Sequence, residues 1–156
     1  MNIHLIAVGN KMPSWVKQGY EEYAQRMGSD FRLILHEIQP EKRTKNIDVA
    51  TIKKREGERI INAIPKGAQV VALEVTGKQW STEDLALRLT EWMASGDNIA
   101  LIVGGPDGLS PECLNMAGSK WSLSRLTMPH PLVRIVLAEQ LYRAWSITRN
   151  HPYHRA

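Results

Sequence analysis

Residues 99–113 read IALIVGGPDGLSPEC, and the architecture follows from them. Five apolar residues without polar alternation make a strand that suits burial on both faces, as in a parallel sheet covered by crossover helices. The strand runs into Gly104-Gly105-Pro106-Asp107-Gly108, where glycine permits backbone conformations and close approaches that a Cβ would block. Ser110 then serves as an N-cap and Pro111 as the first residue of a new helix. Ligands of open α/β sheets gather at the C-terminal ends of strands, where this loop lies. A tight structural turn is the plainer account of the same glycines.

Working outward, the runs at 3–8 (IHLIAV), 31–38 (FRLILHEI) and 69–75 (QVVALEV) also read as strands. Helical patterns lie between them: 13–27 opens on Pro13, 48–63 on Asp48 as N-cap, and 81–95 on Ser81 with Gly96 as its stop. The βαβα rhythm predicts a single α/β domain over residues 1–156, with a mostly parallel sheet and flanking helices. The run 41–59, EKRTKNIDVATIKKREGER, mixes charges at helical spacing and reads as a solvated helix after a mobile loop, with RNA contact as the alternative. Residues 131–148, PLVRIVLAEQLYRAWSIT, form a helix apolar nearly all round, which requires burial on more than one side. One side would face the sheet and another a second subunit, with Glu139 and Arg143 as an i,i+4 pair or as polar groups at that contact.

The chain has 156 residues, 43% hydrophobic and 23% charged, within the range of soluble globular proteins. The opening MNIHLIAVGNK lacks a basic n-region, and no apolar run approaches the roughly 20 residues of a membrane helix. One cysteine, Cys113, excludes an internal disulfide and fits a reducing, cytoplasmic setting; it reads as a small buried residue. The net charge is +4, and residues 113–156 carry the excess: Lys120, Arg125, Arg134, Arg143, Arg149 and Arg155 against Glu139 alone. Such asymmetry points to a phosphate-bearing partner.

The common nucleotide signatures are missing. GNKMPSW, after the first strand, is no G-x-G-x-x-G, and neither a P-loop nor a G-x-S-x-G elbow occurs. In WSLSRLTMPHPLVR (121–134) a short strand leads to Pro129-His130-Pro131, whose prolines would hold His130 extended at a helix entrance. That makes the imidazole a site candidate, or merely part of a rigid corner. The final residues RNHPYHRA (149–156) place His151 and His154 three apart, but flanking arginines disfavour a metal, and no metal site is expected. Tyr153 with its His and Arg neighbours suits stacking on a base and gripping phosphate, the alternative being a disordered basic tail.

These residues resemble a known family end to end. LIAVGNKMPSWV, VGGPDGLSP, TMPHPLVR and LYRAWSITRNHPYHR look like the motifs of the RlmH (YbeA-type) family of SPOUT-class rRNA methyltransferases, with Asp107 where relatives carry Glu. The resemblance implies a C-terminal trefoil knot, a homodimer and S-adenosyl-L-methionine as cofactor. It also implies methylation of N3 of a pseudouridine in 23S rRNA, on the assembled ribosome. Carried over, the cofactor pocket falls on Leu73, closing its strand, on Gly104 and Gly105, and on Leu123, Ser124, Arg125, Leu126, Thr127 and Met128. Tyr153, His154 and Arg155 would approach the methyl group at a site composed with the other subunit. His154 or His130 would take the N3 proton, or Arg155 would stabilise the imide anion. A non-catalytic RNA-binding module and a metal-free nuclease with a His pair are the rival readings.

Overall fold

The structure is a computed structural model that describes residues 1–155. Its elements alternate as β1 (Asn2–Val8), α1 (Ser14–Ala24), β2 (Arg32–Ile38), α2 (Val49–Ala63), β3 (Gln69–Gln79), α3 (Thr82–Ser95), β4 (Ile99–Val103), α4 (Pro111–Met116), β5 (Ser119–Ser122) and α5 (His130–Thr148). The five strands form one sheet in the order β2-β1-β4-β3-β5, and every neighbouring pair is parallel. β1 and β4 are central and buried almost throughout, as expected of strands covered on both faces.

Each face has its own core. Ile3, Leu5, Ala7, Leu101 and Val103 pack under α1, α3 and α5, while Ile6, Val8, Ala100 and Ile102 pack under α2 and α4. Local chemistry sets most of the boundaries. The carboxylate of Asp48 accepts from the N–H of Thr51, and the hydroxyl of Ser110 from that of Cys113. Ser81 and Asp84 form a reciprocal capping box, with Asp84 as the acidic partner, and Gly96 ends α3 in the left-handed region at φ 73°.

Several expectations are corrected. The first helix ends at Ala24, short of residue 27. β3 does not close at Leu73: Leu73 and Lys78 both partner Trp121, residues between them loop out as a bulge, and the strand resumes to Gln79. Gly77 permits this, since a Cβ there would lie 2.7 Å from the Lys120 backbone. His130 is not extended but is the first residue of α5, after an extended Pro129 (ψ 143°). A first-turn residue needs no intrahelical N–H bond, so the following proline is tolerated. α1 and α3 flank α5 over the sheet, while Leu132 stays 40% exposed and Val133, Ile135 and Val136 are only partly buried.

The charged run forms a helix solvated on one face, with Lys54, Arg55 and Glu58 exposed, but the start of the loop before it is tied down. The backbone N–H of Glu41 donates to buried Glu56 at 3.0 Å, its carboxylate pairs with Arg55 and Arg59, and Arg59 donates to the Gln39 carbonyl at 2.9 Å. Segment 39–43 is thereby strapped along α2.

Candidate functional site

Above the C-terminal ends of β3, β4 and β5 opens a pocket of about 590 Å³, within the range of small-molecule sites. Of the nine residues expected to hold the cofactor, eight line it: Leu73, Gly104, Gly105, Leu123, Ser124, Leu126, Thr127 and Met128. Arg125 does not; it is exposed and stands outside the lining. Leu126 stands at the rim, 76% exposed.

The glycine loop is compact because it bonds to itself. The N–H of Gly108 donates to the Gly105 carbonyl at 2.9 Å, with Gly108 at φ 86°. A Cβ on Gly104 would lie 2.4 Å from the Gly108 carbonyl carbon. Gly105 rests on Val8 and on the Oε1 of Glu56, a 2%-exposed carboxylate whose Oε1 has no hydrogen-bond partner. Asp107 reaches outward to an ion pair with Arg43. The opposite wall is shaped by serines: Ser122 Oγ donates to the Ser124 carbonyl at 2.9 Å, and Ser124 Oγ accepts from the N–H of Leu126 at 2.9 Å.

His130 lines the pocket floor, and its buried Nδ1 has no partner. Burial, and secondarily the Arg134 guanidinium one turn on, hold its pKa below the usual histidine value; the N-terminus of α5 acts in the same direction. The lowered pKa favours the neutral ring. The first turn of α5, which carries His130, is tied down by Arg134, 2% exposed, which donates to Glu37 Oε2 at 2.8 Å and to the Gly9 carbonyl at 2.7 Å. Gly9, at φ 124°, leaves room for His130 and Arg134: a Cβ there would come within 3.0 Å of His130, 3.2 Å of Arg134 and 2.7 Å of Met12.

The remaining candidates sit elsewhere. α5 has 19 residues and spans about 28 Å, with His130 at its start and the tail beyond its end. The tail is ordered against the helix. Tyr153 packs on Tyr142 with ring centroids 4.6 Å apart and under the Arg143 guanidinium at 4.8 Å. His154 Nδ1 lies 3.2 Å from Arg143 Nη1, so it accepts, and Nε2 donates to Glu83 at 3.3 Å. Both ring nitrogens are therefore engaged. The Glu139–Arg143 pair, 2.6 Å, is half-buried and belongs to this docking. Arg155 is exposed. Tyr153, His154 and Arg155 do not line the pocket of their own chain.

The charge asymmetry of the sequence is also redistributed. Arg134, Arg143 and Arg149 pair with Glu37, Glu139 and Asp30, so half of the C-terminal basic residues serve the fold. Among the described residues no group of three or more His, Cys, Asp or Glu could hold a metal ion, and no helix is long and apolar enough to cross a membrane. Cys113 is fully buried and its thiol pKa is raised by that burial.

Residue patterns alone did not mark Glu74 and Val75, which the β3 bulge turns into the pocket wall, or Trp121 beneath them. Gly77 inside a strand-like run was the available signal for a bulge. Nothing local marks Arg134 as the support of His130, because its partners are 97 and 125 residues away.

Residues 1–154 match the family described as "Predicted SPOUT methyltransferase". The chain is 55% identical over 155 residues to a ribosomal RNA large subunit methyltransferase H from Marinomonas sp. (strain MWYL1), covering 99% of this chain and 100% of that one. It is 54% identical, with the same coverage, to a protein of the same name from Methylococcus capsulatus (strain ATCC 33009 / NCIMB 11132 / Bath). Among solved structures it is similar in fold to a probable methylase family protein from Haemophilus influenzae Rd KW20, with a TM-score of 0.56 at 13% identity, covering 99% of this chain and 70% of that one.

Proposed function

The chain belongs to the SPOUT methyltransferase family, and from that premise we propose that it methylates large-subunit ribosomal RNA at N3 of a pseudouridine, on the assembled ribosome in the cytoplasm. One observation carries the reading: a pocket at three parallel strand ends, walled by Leu73, the Gly104–Gly105 turn and the 123–128 segment. Its chemistry fits S-adenosyl-L-methionine. Leu73, Val103, Leu123 and Met128 offer an apolar slot for adenine, and the exposed backbone groups of the glycine loop and of 123–128 can read its edge.

When bound, the cofactor supplies a methyl group already activated on a sulfonium. The protein must then align the acceptor and remove the N3 proton, and alignment alone is worth several kcal/mol. His130 suits proton removal because it lines the pocket and its pKa is held below the usual histidine value, which favours the proton-accepting form. His154, with both nitrogens engaged, must release Arg143 before it can accept a proton. Tyr153 stays protonated, its pKa raised mainly by burial, and serves as a donor. The docked tail lies beside Tyr142 and Arg143, roughly 18–20 Å along α5 from His130, and does not line its own pocket; on this reading Tyr153, His154 and Arg155 act on the pocket of a second copy, in a homodimer. On the same reading, the segment from β4 to α5 threads the trefoil knot of the family.

Single-turnover methyl transfer with H130A tests the assignment of the base. A rate about 10²-fold lower, with cofactor affinity unchanged by calorimetry, supports it. A rate equal to wild type assigns the proton to another group.

A further inference from the structure

We infer that the lysines of the strapped segment, Lys42, Lys45, Lys53 and Lys54, form the grip on the RNA phosphate backbone, at the rim of the cofactor pocket. The inference rests on the proposed function and adds where the polyanion lies. The C-terminal cations expected to hold it are half consumed: Arg134, Arg143 and Arg149 are paired within the fold. None of the four lysines is in an ion pair among the described residues, and all but Lys53 are exposed.

The acids of the same stretch do little to cancel them. Glu41 is shared by Arg55 and Arg59, and Glu56 is buried under Gly105. Asp48 caps α2, which leaves Glu58 as the uncommitted exposed acid. The surface presented to solvent is positive.

Its position is fixed by the Arg43–Asp107 ion pair, which ties the segment to the glycine loop. Lys42 and Lys45 lie within about 7 Å of backbone from that tie. Lys53 and Lys54 are in the second turn of α2, roughly 6–8 Å from the helix start. Because α2 follows the C-terminal end of β2, that start stands at the pocket end of the sheet. The 39–43 strap is fastened by Glu41 and Gln39, so the lysines are carried on a defined platform. Residues 41–59 contain no aromatic side chain; the surface therefore holds phosphate and positions the strand without stacking on its bases.

The test uses the full chain carrying K42Q, K45Q and K54Q together, and ribosomes lacking the modification, titrated over a salt series. At about 0.7 per single-strand phosphate contact, the slope of log affinity against log salt should fall by about two, with affinity lower by about tenfold or more. Cofactor affinity by calorimetry should equal wild type. Wild-type slope and affinity in the variant would overturn the inference. Failure of the functional reading is distinguishable, because the wild-type chain would then bind neither cofactor nor ribosome.

Discussion

His130 and His4 both sit where a proton is unwelcome. His130 is held below the ordinary histidine value of 6.5 first by burial and then by Arg134; His4 is lowered by burial and by His36, whose Nε2 lies 2.8 Å from its Nδ1. In the unfolded chain both titrate at the ordinary value. Between the folded and unfolded values the unfolded state binds more protons, so stability falls as pH falls. Urea midpoints should therefore be flat above pH 6.5 and drop progressively below it. H4N with H130N should flatten that acid limb, and an unchanged limb would assign it to other groups. The same lowered value keeps His130 competent as a base at neutral pH, which joins its stability cost to its proposed role.

The elements explain how such a residue is held. Arg134 lies one turn beyond His130 and clips the start of α5 to the ends of β1 and β2 through Gly9 and Glu37. R134A would leave Glu37, about a third exposed, without its partner; a loss of about 3 kcal/mol is expected in denaturant titrations, the low end for a buried pair. R134M, which restores volume, should recover part of that loss, but cofactor-loaded transfer should stay slow because His130 loses its support. Helix boundaries were legible in the sequence because capping is local: Asp48, Ser81, Ser110 and Gly96 act within four residues of themselves. The β3 bulge was not, since it depends on Trp121 accepting two partners in register. Nor was the docking of the tail, which needs Arg143, Tyr142 and Glu83 brought together from α5 and α3. The glycine loop was recognised as a ligand candidate from its residues, but its neighbour Glu56 was hidden in what looked like a solvated charge run.

At the scale of the molecule, the docked tail lies beside Tyr142 and Arg143, roughly 18–20 Å along α5 from His130, and lines no part of its own chain's pocket. Truncation after Thr148, which also removes the Arg149–Asp30 tie, should lower stability slightly and leave cofactor affinity near wild type while methyl transfer collapses. Mixing that truncated chain with a full-length chain carrying G104A, in which the added Cβ meets the Gly108 backbone, should restore activity in mixed dimers; no rescue would place pocket and tail in one subunit. The charge of the whole chain reads differently too: the sequence concentrates its excess in residues 113–156, yet the fold uses three of those arginines as internal ties. Methyl transfer to large-subunit rRNA can be read out on intact ribosomes. Ribosomes lacking the modification are incubated with the protein and methyl-labelled S-adenosyl-L-methionine, and the rRNA is mapped by mass spectrometry. One methyl group on N3 of a single large-subunit pseudouridine is the predicted result; cofactor binding without any methyl incorporated into rRNA would contradict it.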